Sequence, residues 1–236
     1  QYCRRYSEWA DSKQLTFHIQ RYPGVNLELD YAGKQLYLHN RRNPEETTKV
    51  TIFIAALTYS DYFYAEGMTE CDIRNWIRVN NNALAYFGGV TPTVTPDNCK
   101  VAVARNKDWI SPVLNKDFQA WAEHNNTVLT PAKVKSPRWK PVVEGHVKLV
   151  TMHILMDMED MVFYSLDDLN RVLMEKVAAE NRKPFEGLSY SRYDLFTTEE
   201  KETLLPLPPN RFEYLERKTV KVAQDFSFTF DKVHYS

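Results

Sequence analysis

The chain is expected to form an α/β domain on a mixed five-stranded sheet flanked by helices, with a partial β segment at its C-terminal end. Three observations predict this. Apolar and polar residues alternate in short runs near the start, segments of helical period then alternate with strand-like runs beyond residue 70, and two helices precede a proline-rich stretch and a second alternating run.

Tyr2 to Gln14 mixes charged and aromatic residues at irregular spacing and reads as a helical or linker lead-in, which sets 1–20 apart from a core over 21–185. Apolar residues alternate over Val25 to Tyr31 and Gln35 to Leu38 about Ala32-Gly33-Lys34, the pattern of two strands joined by a tight turn. Thr48 to Thr58 is a Val/Ile/Phe-rich run suited to a buried strand, so three consecutive strands are expected to open the domain. Glu70 to Phe87 places Ile73, Trp76, Ile77, Leu84 and Phe87 at helical spacing, and Gly88-Gly89 supplies a stop. Trp76, Phe87 and Trp121 are expected in the core.

A strand over Pro92 to Thr95, a helix over Lys116 to Asn125 and a strand over Thr127 to Thr130 follow. Pro141 suits the first position of a helix, where its missing N–H costs nothing. Ser165, with Asp168 three residues on, is a plausible N-cap for a helix that ends near Lys183-Pro184. Gly187 to Asn210 reads as loop, Leu205 to Pro209 as a semi-rigid proline linker within 186–216, and 217–236 as the first strands of a truncated β-domain.

A length of 236 residues with 43% hydrophobic content supports one substantial core. No apolar stretch approaches the roughly 20 residues a bilayer-crossing helix needs, and no signal peptide opens the chain, so a cytoplasmic, membrane-free location is expected. The absence of an initial Met marks the chain as an expected fragment of a longer protein. Cys3, Cys71 and Cys99 are odd in number and lack zinc-finger spacing, so neither a disulfide framework nor structural zinc is indicated. With a net charge of -1, any nucleic-acid contact must come from local clusters.

Three carboxylates carry the chemistry. Asp30 ends the first alternating run, Asp97 follows the Pro92 to Thr95 strand, and Glu144 lies in the first turn of the helix begun by Pro141. Hard oxygen ligands converging from separate elements can hold two Mg²⁺ or Mn²⁺ ions about 3.5 to 4 Å apart, the arrangement that clamps attacking and leaving oxygens in phosphodiester chemistry. Each acid alone is better explained as a solvated or capping residue; it is the three together in these contexts that favour the metal reading.

Lys133, Lys135, Arg138 and Lys140 surround Trp139 just before Glu144, so cations are expected on phosphates and the indole on a base or distorted backbone. Lys148, one turn beyond Glu144, either steers DNA or pairs with Glu144. Asn98 and Lys100 suit contacts to phosphate or to the ligands rather than to metal. His146 and His153 fit no zinc spacing, and Asp157, Glu159 and Asp160 read as a solvated helix end. No Gly-rich phosphate loop or Ser/His/Asp series appears, so a protein nucleophile is unsupported.

The order βββαβαβαα, with acids at the end of the first strand, just after the fourth and on the following helix, is that of an RNase H-like fold. Glu28-Leu29-Asp30-Tyr31-Ala32-Gly33, Ala85 to Val90, Pro96-Asp97-Asn98-Cys99-Lys100 and Lys140 to Gly145 resemble the integrase-like core of DDE transposases, specifically the IS21-type insertion-sequence transposases. Asn115 to Phe118, Ala120 to His124, Tyr164 to Asn170, Asn181 to Phe185 and Leu207 to Tyr214 extend the resemblance over nearly the whole chain. It implies Asp30, Asp97 and Glu144 as the DDE triad acting on double-stranded transposon ends and target DNA, through cleavage and joining of 3′-hydroxyls. It also implies a helix-turn-helix region before Gln1, a longer C-terminal β-domain, an AAA+ ATPase helper and a homo-oligomer on DNA. An RNase H-like nuclease without strand transfer and a non-catalytic DNA-binding and assembly module remain as alternatives.

Overall fold

A computed structural model describes residues 20–43, 45–96, 103–105, 113–131, 141–216, 220, 222, 226–230 and 233–235. The lead-in read over Tyr2 to Gln14 lies outside them.

The opening strands are β1 (Asn26–Tyr31), β2 (Leu36–His39), β3 (Thr47–Leu57) and β4 (Phe63–Met68). Two expectations change here. First, β1 and β2 do not pair as a hairpin; both run antiparallel to β3, β1 against Leu57 to Phe53 and β2 against Val50 to Thr47. Ala32 N donates to Ile52 O at 2.8 Å, carrying the pairing past the end of β1. Ala32 to Gln35 is thus an interruption between two segments that share β3, and an alternating pattern does not say which partner a strand takes. Second, four strands open the domain, because Phe63–Met68 is a strand the alternation rule overlooks. It is buried at every position, so it shows no period-two contrast. Its Glu66 and Gly67 look like breakers.

The helix α1 (Ile73–Phe87) is N-capped by Asp72, whose side chain accepts from Asn75 N, and stops at Gly88, which takes the left-handed conformation that glycine tolerates. After β5 (Thr93–Thr95) come a small antiparallel pair, β6 (Val103–Arg105) and β7 (Val113–Leu114), then α2 (Lys116–His124) and β8 (Val128–Leu129). Because β5 pairs parallel with both β1 and β8, the main sheet is mixed, with order β2-β3-β1-β5-β8 and β4 attached to β3. Among the described residues it holds six strands by pairing rather than five, β4 being the one not foreseen.

Helix α3 (Pro141–Leu149) runs on into a wide turn over Val150–Leu155, and α4 (Leu166–Arg182) starts at Ser165, whose hydroxyl accepts from Asp168 N. Both faces of β3 are buried. Phe53, Ala55 and Leu57 join Leu27, Leu29, Trp76, Leu84, Phe118 and Trp121, whereas Ile52, Ile54 and Ala56 join Val150, Ile154, Leu169, Leu173 and Val177. The sheet is therefore the middle layer of three, with α1 and α2 on one side and α3 and α4 on the other.

Gly187 to Asn210 is not simply loop. A capping box of Ser191 and Asp194 starts α5 (Arg192–Leu195), which continues through a wide turn over Phe196–Glu200 and a 3-10 turn over Lys201–Thr203. Phe196 is buried and stacks on Tyr62 with ring centroids 4.4 Å apart, while Leu205 and Val90 exchange both backbone hydrogen bonds. These partners lie far away in sequence, which is why no local period announces the segment. Beyond it, β9 (Phe228–Phe230) and β10 (Val233–Tyr235) pair antiparallel. Among the described residues no helix is long and apolar enough to cross a membrane.

Candidate active site

Asp30 stands next to last in β1, half-buried, with its Oδ1 accepting from Tyr31 N at 2.7 Å. Side chains alternate across a strand, so Asn26, Glu28 and Asp30 share one face of β1. Glu28 and Asp30 lie opposite Ala56 and Ile54, which belong to the layer under α3 and α4. Helix α3 packs against both β1 and β3, so the helix that bears Glu144 covers the sheet face that bears Asp30. The Glu144 backbone lies in the first turn of α3; its side chain is outside what is described.

His146 anchors this helix. It is buried, its Nε2 lies 2.8 Å from Asp61 O in the turn between β3 and β4, and its ring packs on Phe63 at 5.1 Å. Lys148 is exposed on the same helix, and His153 meets Glu180 at 3.4 Å. Of the acids read as a solvated helix end, Asp157 and Glu159 do face solvent, but they pair with Lys176 and Lys34, fastening the segment after α3 to α4 and to the β1–β2 interruption.

The third element is β5, in parallel register with β1 through Asn26↔Thr93, Leu27↔Val94 and Glu28↔Thr95. Asp97, Asn98 and Lys100, like Lys133, Lys135, Arg138, Trp139 and Lys140, lie outside the described residues. Among the described residues no group of three or more His, Cys, Asp or Glu side chains could hold a metal, and of the three expected acids that set includes only the Asp30 side chain.

Several polar residues that hold this frame carry no obvious sequence signal. On α4, Asn181 donates from Nδ2 to Phe63 O at 2.7 Å and accepts Phe63 N at 3.3 Å. Asn170 repeats the arrangement on Gly67, accepting its N–H at 2.6 Å and donating to its carbonyl at 3.2 Å. The pairs satisfy backbone groups along the outer edge of β4, an edge that would otherwise be a site for association. The available signal is an asparagine beside the apolar stripe Leu169, Leu173 and Val177.

Glu66, buried on β4, accepts from Tyr64 Oη at 2.7 Å and Asn82 Nδ2 at 2.8 Å and pairs with Arg78. Burial raises the Tyr64 phenol far above its ordinary range, and the Glu66 charge adds to this. Arg211 bonds Asn82 Oδ1 at 2.6 Å and Arg78 O at 3.2 Å, tying the C-terminal segment to α1. Glu200 is fully buried, with Oε1 accepting from Gly24 N at 2.9 Å and Oε2 from Ser60 N at 3.1 Å. Its carboxyl is pushed above the usual range by burial, against the lowering effect of these donors.

No protein-family model matches the chain. Over its whole length it is 32% identical to the "Putative transposase y4bL/y4kJ/y4tB" of Sinorhizobium fredii, covering 45% of that protein. Over 84% of its length it is 26% identical to the transposase for insertion sequence element IS21 of Pseudomonas aeruginosa, covering 49% of it. The chain spans about half the length of these curated relatives. Among solved structures, a chain of the simian T-cell lymphotropic virus intasome in complex with PP2A regulatory subunit B56 gamma superposes with a TM-score of 0.56 at 15% identity, over 90% of this chain and 70% of that one. The HTLV-2 integrase catalytic core domain in complex with magnesium, in its trimeric form, gives 0.51 at 11% identity, over 74% of this chain and 97% of that one. At such identities the structures speak for fold alone. The chain is thus similar over its whole length to the curated Sinorhizobium fredii protein and over most of it to the IS21 transposase, and it has the RNase H-like fold of retroviral integrase catalytic cores.

Proposed function

We propose that the chain is the catalytic core of a DDE transposase that cleaves the ends of a transposable element and joins their 3′-hydroxyls to target DNA. The observation that carries this is that β1, which bears Asp30, pairs in parallel with β5, the strand that leads to Asp97, and is covered by helix α3, which bears Glu144, in a chain similar to transposases. Asp97 follows Thr95 by the same two residues by which Asp30 follows its partner Glu28. In this reading 21–185 is the catalytic core, 1–20 leads into it, 186–216 connects onward, and 217–236 opens a C-terminal β-domain.

A half-buried carboxylate at a strand end, with hard oxygen donors, suits a divalent cation, and Asp30, Asp97 and Glu144 would hold two Mg²⁺ or Mn²⁺ ions. Bound ions supply activation of the attacking oxygen and neutralisation of the leaving one. Around them the chain's own residues orient the DNA. Lys133, Lys135, Arg138 and Lys140 would hold phosphates, Trp139 would stack on a base or a distorted backbone, Lys148 would steer DNA or pair with Glu144, and Asn98 and Lys100 would brace the acids or a phosphate. The partners in this reading are double-stranded DNA, further copies of the chain assembled on it, and an AAA+ ATPase helper, in the bacterial cytoplasm at the nucleoid.

The test is a cleavage and strand-transfer assay with the full-length protein on uncleaved and pre-cleaved ends, comparing the parent with Asp97→Asn and Glu144→Gln. Loss of joining in both is expected. Joining that survives both substitutions overturns the triad, and cleavage without joining by the parent would assign an RNase H-like nuclease instead. DNA binding and assembly with neither step would make the chain an assembly module.

A further inference from the structure

Strand β5 has only three residues, and it meets β1 through three residue pairs. So short a parallel ladder offers few backbone hydrogen bonds to hold the strand whose next residues are Pro96 and Asp97. A side-chain clamp reinforces it. Asn26 Oδ1 accepts from the hydroxyls of both Thr93 and Thr95, each at 3.0 Å. The Thr93 proton is shared with Val25 O at 2.8 Å, and Thr95, donating to Asn26, receives from Thr130 Oγ1 at 2.9 Å. One amide oxygen thereby links β1 to both ends of β5 and, through Thr95, to the residue after β8. By strand alternation Asn26 and Asp30 lie on one face of β1, and Thr93 and Thr95 on one face of β5.

We infer that Asn26 is a positioning residue: it ties Thr93 and Thr95 to β1, sets the separation between the ends of β1 and β5, and so tunes divalent-cation binding by Asp30 and Asp97. The inference rests on the metal-site reading of those two acids. Asn26 touches neither cation nor DNA in this role. Groups that orient metal ligands from outside typically govern affinity by about 10- to 100-fold when lost.

The test measures Mn²⁺ binding to the full-length protein with its DNA ends, from the paramagnetic resonance signal of free Mn²⁺, alongside joining rate against Mn²⁺ concentration. Asn26→Ala and Thr95→Val are expected to weaken Mn²⁺ binding about tenfold and to recover joining at excess Mn²⁺. Thr95→Ser, which restores the hydroxyl, should restore the affinity. Asp97→Asn should bind poorly and stay inactive at any Mn²⁺ concentration. Thr95→Val preserves the β-branched shape, so it reports on the clamp even where Asn26→Ala lowers the melting temperature. Mn²⁺ affinities of both clamp variants within about twofold of the parent, with Asp97→Asn impaired, would overturn the positioning role and leave the proposed function standing. Unchanged affinity in Asp97→Asn would remove the metal-site reading and this inference with it.

Discussion

Asn181→Leu removes the polar cover from one end of the β4 edge while keeping nearly the same side-chain volume. Asn181 is 1% exposed and Phe63 fully buried, so water cannot replace what is lost. The substitution breaks the bonds of 2.7 and 3.3 Å to Phe63 O and N and another of 3.3 Å to Tyr86 Oη. A buried backbone group left without a partner costs about 1 to 3 kcal/mol, so two give about 2 to 6 kcal/mol. The lower half of that range applies because the Phe63 N bond is already long, and because leucine suits a helix better than asparagine by a few tenths of a kcal/mol. About 3 kcal/mol is therefore expected. Urea unfolding followed by tryptophan fluorescence should show a midpoint lower by about 1.5 M, taking a slope of about 2 kcal/mol per M. Hydrogen exchange at the Phe63 amide should accelerate more than at amides in the middle of β3. Arg171→Ala on the exposed side of the same helix is the control, with an expected change below about 0.5 kcal/mol. An Asn181→Leu protein within that same margin of the parent would refute edge capping as the role of the asparagines.

Gly89→Ala places a Cβ 2.5 Å from Leu204 Cβ and 2.9 Å from Leu205 O, so the segment that bridges to Val90 must shift. A loss of about 1 to 3 kcal/mol is expected in thermal unfolding, with faster proteolysis near Leu204. Glu200 has a raised folded-state pKa, so its protonated form contributes stability that is fully present below the unfolded pKa and is lost, as the carboxyl ionises, when pH rises through the folded value. Glu200→Gln should abolish that part of the pH dependence of the urea midpoint; it should also lower stability at every pH by about 1 to 2 kcal/mol, since an amide oxygen cannot replace both carboxylate oxygens as acceptors for Gly24 and Ser60. Asp30→Asn retains an Oδ1 to accept Tyr31 N, so its melting temperature should stay close to the parent's while strand transfer falls by at least about a hundredfold.

The elements legible in sequence are those whose cause is local. Ser165 caps α4 through Asp168 three residues away, Gly88 ends α1 because glycine takes a positive φ cheaply, and Leu169, Leu173 and Val177 mark the buried stripe by period. Asp30 was legible at the end of an alternating run, and α3 began at Pro141 as that residue's geometry requires. Strand β4 escaped notice because burial on both faces erases alternation, and because Glu66 is polar only until Tyr64, Arg78 and Asn82 neutralise it.

By itself the sequence determined helices α1 to α4, most of the strands and the order of the acids along the chain, since periodicity and capping depend on residues within about one or two turns. Tertiary structure alone decided that β2 pairs with β3 instead of β1, that α3 covers the face carrying Asp30, and that asparagines on α4 close the β4 edge. It also decided that Arg192–Thr203 folds back onto the core through Phe196 and Glu200. Each of these joins residues that are distant in sequence, and such a choice is made by which surfaces bury one another and which backbone groups find partners, a competition that no local window of sequence contains.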